Sequence, residues 1–446
     1  MNLASQHSGS KAPPLFAACA LGRKERGYPM KLITTTALAL VAGAIAAPAA
    51  AQYGATAQQQ QGAQAPAAAT QAQQPQIKPS SKALKALVDL QTTVNNKDYA
   101  NVPAKVAAAN AVASTKEDRY LIGQMELKAA VGANDKTAMA TAIDAIANSG
   151  YGNAATNAKL YTSLGSELYN AKQYPQAAAA FQKAIALDPS DPQAGTLLGE
   201  AYFAEGQKAQ AAAQFQKAIQ ASVAAGQKPE ESLIKRAVAV AYESQSPSAV
   251  DLARQWVAAY PNASSWHDAI AIYRNLNHPD AAMEFDLLRL ARVTDALQGT
   301  GDYHAYAYQA ADQANYGEAK SLISEGVAAG KIKSTDPIVQ EIQGVLKAKP
   351  APTAADLAAA EKGAREPNAF LRVGDRYYGA GNYAKAAELY REAVQHGADK
   401  DIANLRLGEA LARTGDKAGA TAALNTVSGT RAEIAKYWLT YVNQRG

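Results

Sequence analysis

Residues able to bind a metal or act as nucleophiles are few in this sequence and lie far apart. The histidines are His7, His267, His278, His304 and His396. None of them forms a His-x-x-x-His or His-Glu pair with the spacing of metal ligands. The only cysteine, Cys19, is close to the N-terminus, so the rest of the chain has no disulfide, thiol nucleophile or cysteine metal site. We expect no metal and no cofactor.

Two short motifs could in principle bind a ligand. Gly379-Ala380-Gly381 is glycine-rich, but no strand precedes it, so we interpret it as a turn between helices and not as a phosphate loop. The aromatic run from Tyr303 to Tyr308 is interpreted as packing on a helix. The carboxylates are spread along the chain without an obvious pair. Folding can assemble a Ser-His-Asp site from distant residues, yet no motif indicates one, and we predict that the protein is not an enzyme.

The composition of the chain predicts that its secondary structure is mainly helical. Hydrophobic residues make up 48% of the chain, but alanine supplies much of this, and tyrosine is the main aromatic residue. This composition favours close-packed helices over a sheet. Without residues 1–51 the chain has 39 basic and 38 acidic residues, so the basic balance belongs mostly to its N-terminus. No basic face is indicated, and nucleic acid is not expected as a partner.

Residues 1–51 have the pattern of a leader that contains a secretory signal peptide. Lys31 precedes an apolar run from Leu32 to Ile45, and Ala49-Ala50-Ala51 follows it before Gln52. A positive start, a short apolar stretch and an Ala-x-Ala end are typical of such a peptide. We predict cleavage after Ala51, with Met30 as the true start, and an exported, periplasmic or secreted protein. No second apolar span follows, so no transmembrane segment is expected after cleavage.

The segment after the predicted cleavage site differs in composition from the remainder of the chain. Ten of the 25 residues in 52–76 are glutamine, and most of the others are small. Such a composition cannot build an apolar core, so residues 52–80 are predicted to be a disordered linker.

A pattern of small and large residues recurs after 34 positions in two places. Gly165, Ala177 and Phe181 recur as Gly199, Ala211 and Phe215; Gly374, Ala386 and Tyr390 recur as Gly408, Ala420 and Leu424. A glycine within a helix costs about 1 kcal/mol relative to alanine, so its recurrence requires a packing reason. Small residues let two antiparallel helices approach closely, while the large residue fills the space beside them. One such pair cannot bury its apolar faces alone, so neighbouring pairs must stack.

With these residues, units 158–191, 192–225, 367–400 and 401–434 resemble tetratricopeptide repeats. The resemblance implies an all-α fold, a right-handed superhelical solenoid of antiparallel helix pairs. We predict an N-terminal helical block over 81–346, a proline-rich break at 347–353 and a C-terminal block over 354–446 that ends in a capping helix. Segments 82–115 and 116–150 are expected to be irregular helix pairs, and 230–350 to contain weaker repeats.

In tetratricopeptide arrays the first helix of each pair lines a concave groove that binds partner peptides or helices. Carried over to the matched repeats, the implied groove residues of the N-terminal block are Lys159, Thr162, Ser166, Tyr169, Asn170, Gln193, Thr196, Glu200 and Phe203. Those of the C-terminal block are Asn368, Leu371, Asp375, Tyr378, Leu405, Glu409 and Arg413.

Two functions remain open at the level of the sequence. The first is an exported scaffold or adaptor that binds a protein or peptide in this groove. The second is an enzyme or subunit of envelope-polymer processing that uses the repeats to hold its substrate. A catalytic domain would need a non-repeat segment, and only residues 230–350 leave room for one.

Overall fold

The computed structural model describes residues 77–445, and this part of the chain contains twenty-one α-helices, one short 3-10 helix and no strand. The predicted all-α fold is therefore confirmed. The predicted signal peptide and most of the predicted linker lie outside the described residues. The described residues divide into two compact units, with the boundary between Gln227 and Lys228.

The first unit contains eight helices that pair in the order of the chain. They are α1 (Leu84–Asn95), α2 (Val102–Val112), α3 (Lys116–Gly132), α4 (Lys136–Asn148), α5 (Ala154–Asn170), α6 (Tyr174–Leu187), α7 (Pro192–Ala204) and α8 (Lys208–Ala224). Each helix packs against the next, and the segments 82–115 and 116–150 are helix pairs as predicted.

The second unit contains the other thirteen helices. They are α9 (Glu231–Glu243), α10 (Ser248–Ala259), α11 (Ala263–Asn277), α12 (Ala281–Val293), α13 (Gly299–Asp312), α14 (Tyr316–Ala328), α15 (Pro337–Ala348), α16 (Ala354–Gly363), α17 (Pro367–Gly379), α18 (Tyr383–Gln395), α19 (Lys400–Thr414), α20 (Lys417–Leu424) and α21 (Ala432–Gln444). The 3-10 helix Gly429–Arg431 directly precedes α21.

Local sequence explains where these helices begin. At the start of α3 the Thr115 hydroxyl accepts a hydrogen bond from the Asp118 amide, and the Asp118 side chain bonds back to the Thr115 amide. The Asp118 carboxylate also accepts from Ser80 and Ser114, which ties the first described residues to α3. Burial of Asp118 opposes ionisation, but these hydrogen bonds outweigh it and lower the pKa to about 2.

The predicted contact of glycine with a ring forms inside the matched pairs. A methyl carbon built at Gly165 would lie 2.5 Å from Cε1 of Phe181, and one built at Gly374 would lie 2.7 Å from Cε1 of Tyr390. Phe181 and Tyr390 are fully buried. The glycines are thus required by the close approach of the two helices, because any side chain would overlap the ring.

The proline-rich segment is a connection inside the second unit. Helix α15 ends at Ala348 and α16 begins at Ala354, so residues 349–353 form the link between them. Helix α14, before this link, packs against α17, after it. Their contact is so close that a side chain at Gly379 would overlap the backbone nitrogen of Glu318. The boundary between the two compact units falls earlier, at 227/228.

The predicted capping helix is present as α21, and its contacts reach far back along the chain. It packs against α19 and α20, and also against α10 and α12. The Tyr437 hydroxyl lies within hydrogen-bond distance of the carbonyl oxygens of Val250 (3.2 Å) and Ala269 (3.3 Å). Tyr437 and Trp438 are fully buried. Helix α21 is therefore part of the core of the second unit and not a cover on its last repeat alone.

Candidate partner-binding groove

The residues predicted for the N-terminal groove lie on α5 and α7, and most keep exposed surface. Those that are exposed are Lys159, Asn170 and Gln193; those that are half-buried are Ser166, Tyr169, Thr196, Glu200 and Phe203; Thr162 is buried. The Tyr169 ring packs edge-on against Tyr174, with their centroids 5.2 Å apart. This contact fixes the aromatic side chain at the C-terminal end of α5.

Hydroxyl groups on α5 and α7 turn their hydrogens toward their own helices. Thr162 donates to the Ala158 carbonyl at 3.0 Å, and Ser166 donates to the Thr162 carbonyl at 2.9 Å. Thr196 on α7 donates to the Pro192 carbonyl at 2.8 Å. A hydroxyl has one hydrogen and two lone pairs, so these groups have only acceptor capacity left for a ligand.

The residues predicted for the C-terminal groove are placed differently. Leu371, Asp375, Tyr378, Leu405 and Glu409 are buried, Arg413 is half-buried and Asn368 is exposed. The Arg413 guanidinium lies over the Tyr383 ring, 4.4 Å from its centroid. The buried members contact residues of the same unit, so they present almost no surface to a partner in this conformation.

An ionic cluster covers this buried part of α17 and α19. Its members are Asp286, Arg289, Glu318, Asp375, Arg406, Glu409 and Arg431. Arg289, which is fully buried, donates two hydrogen bonds to the Glu318 carboxylate at 3.0 and 2.8 Å. Its remaining terminal nitrogen donates to Asp375 at 3.2 Å and lies 3.4 Å from Glu409. One arginine of α12 thus joins α14, α17 and α19.

Aromatic residues complete the surroundings of Arg289. Its guanidinium carbon lies 4.1 Å from the centroid of the Tyr378 ring and 4.5 Å from that of Phe285. The Tyr306 hydroxyl donates to Glu318 at 2.5 Å. The weakly hydrated guanidinium suits such a site, because it stacks on rings and bonds carboxylates in its own plane.

Comparison with known families agrees with the repeat pattern. Residues 162–229 and 371–428 match the model of a tetratricopeptide repeat family. These two segments are therefore similar to tetratricopeptide repeats. The matched segments contain α6, α7, α8, α18, α19 and α20 whole and more than half of α5 and α17. The predicted fold and repeat positions are thus supported independently of the geometry. Tetratricopeptide repeats generally bind protein or peptide partners. No curated protein sequence matches the chain significantly.

Solved tetratricopeptide structures are among those similar to this chain, at low sequence identity. A tetratricopeptide repeat protein from Parabacteroides merdae is 13% identical, with 66% of this chain and 99% of that one covered and a TM-score of 0.25. YrrB, described as having an unusual peptide-binding site, is 17% identical, with coverages of 55% and 89% and a TM-score of 0.20. PilF from Pseudomonas aeruginosa is 14% identical, with coverages of 59% and 97% and a TM-score of 0.23.

Two acids of the ionic cluster are placed where burial opposes their ionisation. Asp286 and Glu409 are fully buried, and burial raises the pKa of both carboxyl groups, that of Glu409 well above its usual range. Neither oxygen of Asp286 has a hydrogen-bond partner among the described residues, although Arg406 and Arg431 lie 3.5 and 3.6 Å away. Four acids face three arginines, so ionisation of all four acids would leave the buried cluster with a net negative charge.

Sequence reasoning missed the residues that hold the buried repeats in place, Arg289 above all. The residues from Phe285 to Ala291 are all buried, which means that α12 is covered on every side. The available signal was a helix that is apolar on most faces but contains an aspartate and an arginine three residues apart. It predicts a buried ion pair, although it does not identify the partners.

The other candidates for chemistry are placed in structural roles. Tyr303 and Tyr306 are buried on α13, and Gly379-Ala380-Gly381 leads from α17 to α18, as predicted. Within residues 77–445 no group of three or more His, Cys, Asp or Glu side chains lies where it could hold a metal ion. In the same range no helix is both long and apolar enough to cross a membrane. Residues 230–350 fold into helices that pack into the second unit.

Proposed function

We propose that this protein is an exported interaction scaffold that binds a protein or peptide segment across α5 and α7. The observation that carries the proposal is the difference between the two sets of groove residues. The set on α5 and α7 keeps surface for a ligand, whereas the set on α17 and α19 is covered by Arg289 and its neighbours. The role is one of binding, with no catalytic step of its own.

Tyr169 and Phe203 are the side chains that we expect to contribute most to binding. They occupy equivalent positions in consecutive repeats, four residues after Gly165 and Gly199. Aromatic residues often dominate interface energies because they bury a large area with little loss of rotamer entropy. Both are half-buried, so each keeps surface for a partner, and their replacement leaves the fully buried Phe181 in place.

The test is the double variant Tyr169→Ala/Phe203→Ala, compared with wild type in binding to a partner obtained by affinity capture. We expect binding to weaken by about tenfold or more, with little change in melting temperature. The matched control is Phe181→Ala, which removes a fully buried ring and should instead lower the melting temperature strongly. Wild-type affinity of the double variant would contradict the groove, and its unfolding would show that this face belongs to the core.

The proposal of export is supported by the leader pattern of residues 1–51. We expect the mature protein to begin at Gln52 and to be found outside the cytoplasm. N-terminal sequencing of the protein from its native cells is the measurement. A mature chain that still contains Leu32 would contradict this part of the proposal and would leave the binding function untouched.

A further inference from the structure

A cavity of about 440 Å³ lies in the first unit between α6 and α8, the second helices of two consecutive repeats. Both helices pack against α7, which forms the base of this interhelical cavity. The buried residues Gly195, Leu198 and Ala218 line the base, and the half-buried Ile185 of α6 lines one wall. None of the predicted groove residues lines the cavity, so it is separate from the proposed groove of α5 and α7.

The preceding repeat has the same arrangement of helices, with α4 and α6 both packed against α5. The position that corresponds to Gly195, 34 residues earlier, is Tyr161. The Tyr161 ring is buried, and its hydroxyl donates a hydrogen bond to Asp144 of α4 at 2.5 Å. An aromatic side chain of the protein therefore occupies the earlier repeat at the position where the next repeat has glycine and a cavity.

A lysine of the second helix recurs in the same way. Lys183 of α6 forms an ion pair with Asp144 at 2.6 Å, and its Nζ lies 5.3 Å from the centroid of the Tyr161 ring. The corresponding residue of α8 is Lys217, which lines the interhelical cavity. Within residues 77–445, Lys217 has no ion-pair partner. The carboxylate that meets the first lysine is thus not matched by one at the second.

The charges around the interhelical cavity indicate the sign of its ligand. Helices α6 and α8 carry the lysines Lys183, Lys208 and Lys217 and contain no aspartate or glutamate. One carboxylate lines the cavity, that of Asp191, and it caps α7 by accepting from the Gln193 amide at 2.9 Å. Surfaces of opposite charge favour each other in association, so we expect an acidic ligand.

We propose that the interhelical cavity binds an aromatic side chain of a partner protein, with a carboxylate of a neighbouring partner residue at Lys217. The ring takes the place that Tyr161 has in the preceding repeat, and the carboxylate takes the place of Asp144. Contact of the ring with the apolar base supplies most of the affinity, because aromatic side chains bury a large area. The ion pair at the exposed Lys217 adds less and orients the bound segment.

The test uses random twelve-residue peptides displayed on phage and panned on the full chain, with the variant Gly195→Tyr as the counter-target. Tyrosine at this position reproduces the preceding repeat and should block the cavity. Peptides that bind wild type but not the variant should contain an aromatic residue beside aspartate or glutamate. In a synthetic copy of such a peptide, replacement of the aromatic residue by alanine should weaken the Kd by about tenfold to a hundredfold, as measured by calorimetry.

A second blocking variant guards against a folding defect. A methyl carbon at Gly195 would lie 3.2 Å from Cβ of Ala218, which is close enough that α8 must shift slightly. Ala221→Phe blocks the cavity from a half-buried position on α8 and should abolish binding of the same peptides. Thermal melts identify which blocked variants are folded, and the folded ones are compared with wild type.

The lysine is tested with paired changes in the peptide and the protein. Replacing the acid of the peptide by its amide should weaken binding by about twofold to fivefold, as expected for an exposed ion pair. Lys217→Gln should cause the same loss, and in that variant the amide peptide should bind no more weakly than the acid peptide. The control is Lys172→Gln, which removes an exposed lysine between α5 and α6 that does not line the cavity. This control should bind as wild type does.

The outcomes distinguish the interhelical cavity from the groove of α5 and α7. Selected peptides that keep wild-type affinity in the folded blocked variants would overturn the proposal of this second site. If the same peptides lose binding in Tyr169→Ala/Phe203→Ala, the proposed groove stands. Peptides that bind the cavity without an aromatic residue, or that carry basic residues in place of acids, would also contradict the proposed ligand. Loss of binding in the blocked variants with full binding in Tyr169→Ala/Phe203→Ala would support it.

Discussion

Glycine within a helix usually lowers its stability, because glycine has the freest backbone in the unfolded chain. At Gly165, however, glycine is the residue that fits, because even a methyl group would lie 2.5 Å from a carbon of the Phe181 ring. At Gly344 on α15 an added methyl group would meet nothing within 4 Å. The two positions are therefore a matched pair in which helix propensity is equal and packing differs.

We expect Gly165→Ala to lower the free energy of unfolding by about 1–3 kcal/mol, since overpacking a closed crossing forces side chains away from their rotamers. Gly344→Ala should raise it by up to about 1 kcal/mol, because only the propensity term remains. Urea unfolding followed by circular dichroism measures both. If the two substitutions change the free energy of unfolding in the same direction, α5 and α6 pack less closely than they do in the structure.

Helix α21 links the end of the chain to elements nearly two hundred residues before it. Tyr437 makes this link with a ring that packs edge-on against Tyr273, with centroids 6.2 Å apart, and with a hydroxyl at the Val250 and Ala269 carbonyls. Its complete burial also raises the pKa of the hydroxyl, so the group remains a neutral donor at any ordinary pH.

The contribution of this helix can be measured with two substitutions of one residue. Tyr437→Ala should destabilise the second unit by about 3–5 kcal/mol, because it leaves a cavity among three helices. Tyr437→Phe retains the ring and should cost only about 1 kcal/mol for the lost hydrogen bond. In hydrogen exchange, Tyr437→Ala should reduce protection of residues 248–293. Unchanged protection there would contradict a core role for α21.

The ionic cluster is the largest-scale feature of the second unit, because it covers predicted groove residues there that would otherwise face a partner. Arg289 joins four helices of the second unit, and the acids that it binds stand at positions predicted to face a partner. Buried ion pairs often add little stability compared with apolar packing, but removing one partner leaves an uncompensated charge. The cluster therefore acts mainly by fixing α12 and α14 against α17 and α19.

Removal of the buried arginine should destabilise the protein far more than removal of a lysine from an exposed ion pair. Arg289→Met leaves the buried Glu318 without its ion-pair partner and removes one of the two arginines that bind Asp375. It should lower the free energy of unfolding by about 3–5 kcal/mol. Lys436→Met, which breaks the exposed pair with Glu433, should change it by less than about 1 kcal/mol. Similar effects of the two substitutions in urea melts would contradict the structural role of the cluster.

Glu409→Gln tests the protonation of the cluster. Burial raises the pKa of Glu409 in the folded protein, so from about pH 4.5 upward only the unfolded chain releases its proton, and stability should fall as the pH rises. Glutamine has no proton to release, so the variant should lose less stability than wild type between pH 5 and pH 8. Parallel stability curves over this range would show that Glu409 is ionised in the folded state.

The all-α fold and the register of four repeats could be predicted from the sequence, because the repeating glycines and rings describe contacts within one helix pair. The helix pairs of 82–150 could be predicted for the same reason, since their turn residues are local. The groove on α5 and α7 followed from the repeat register and remains a prediction for binding. The burial of Asp375, Tyr378 and Glu409 could not be predicted in this way, because their partner Arg289 lies 86 to 120 residues away in sequence and meets them only in the folded protein. The packing of α21 on α10 and α12 has the same cause: no periodicity encodes contacts between distant, dissimilar helices, whose shapes and charges match only when the chain is folded.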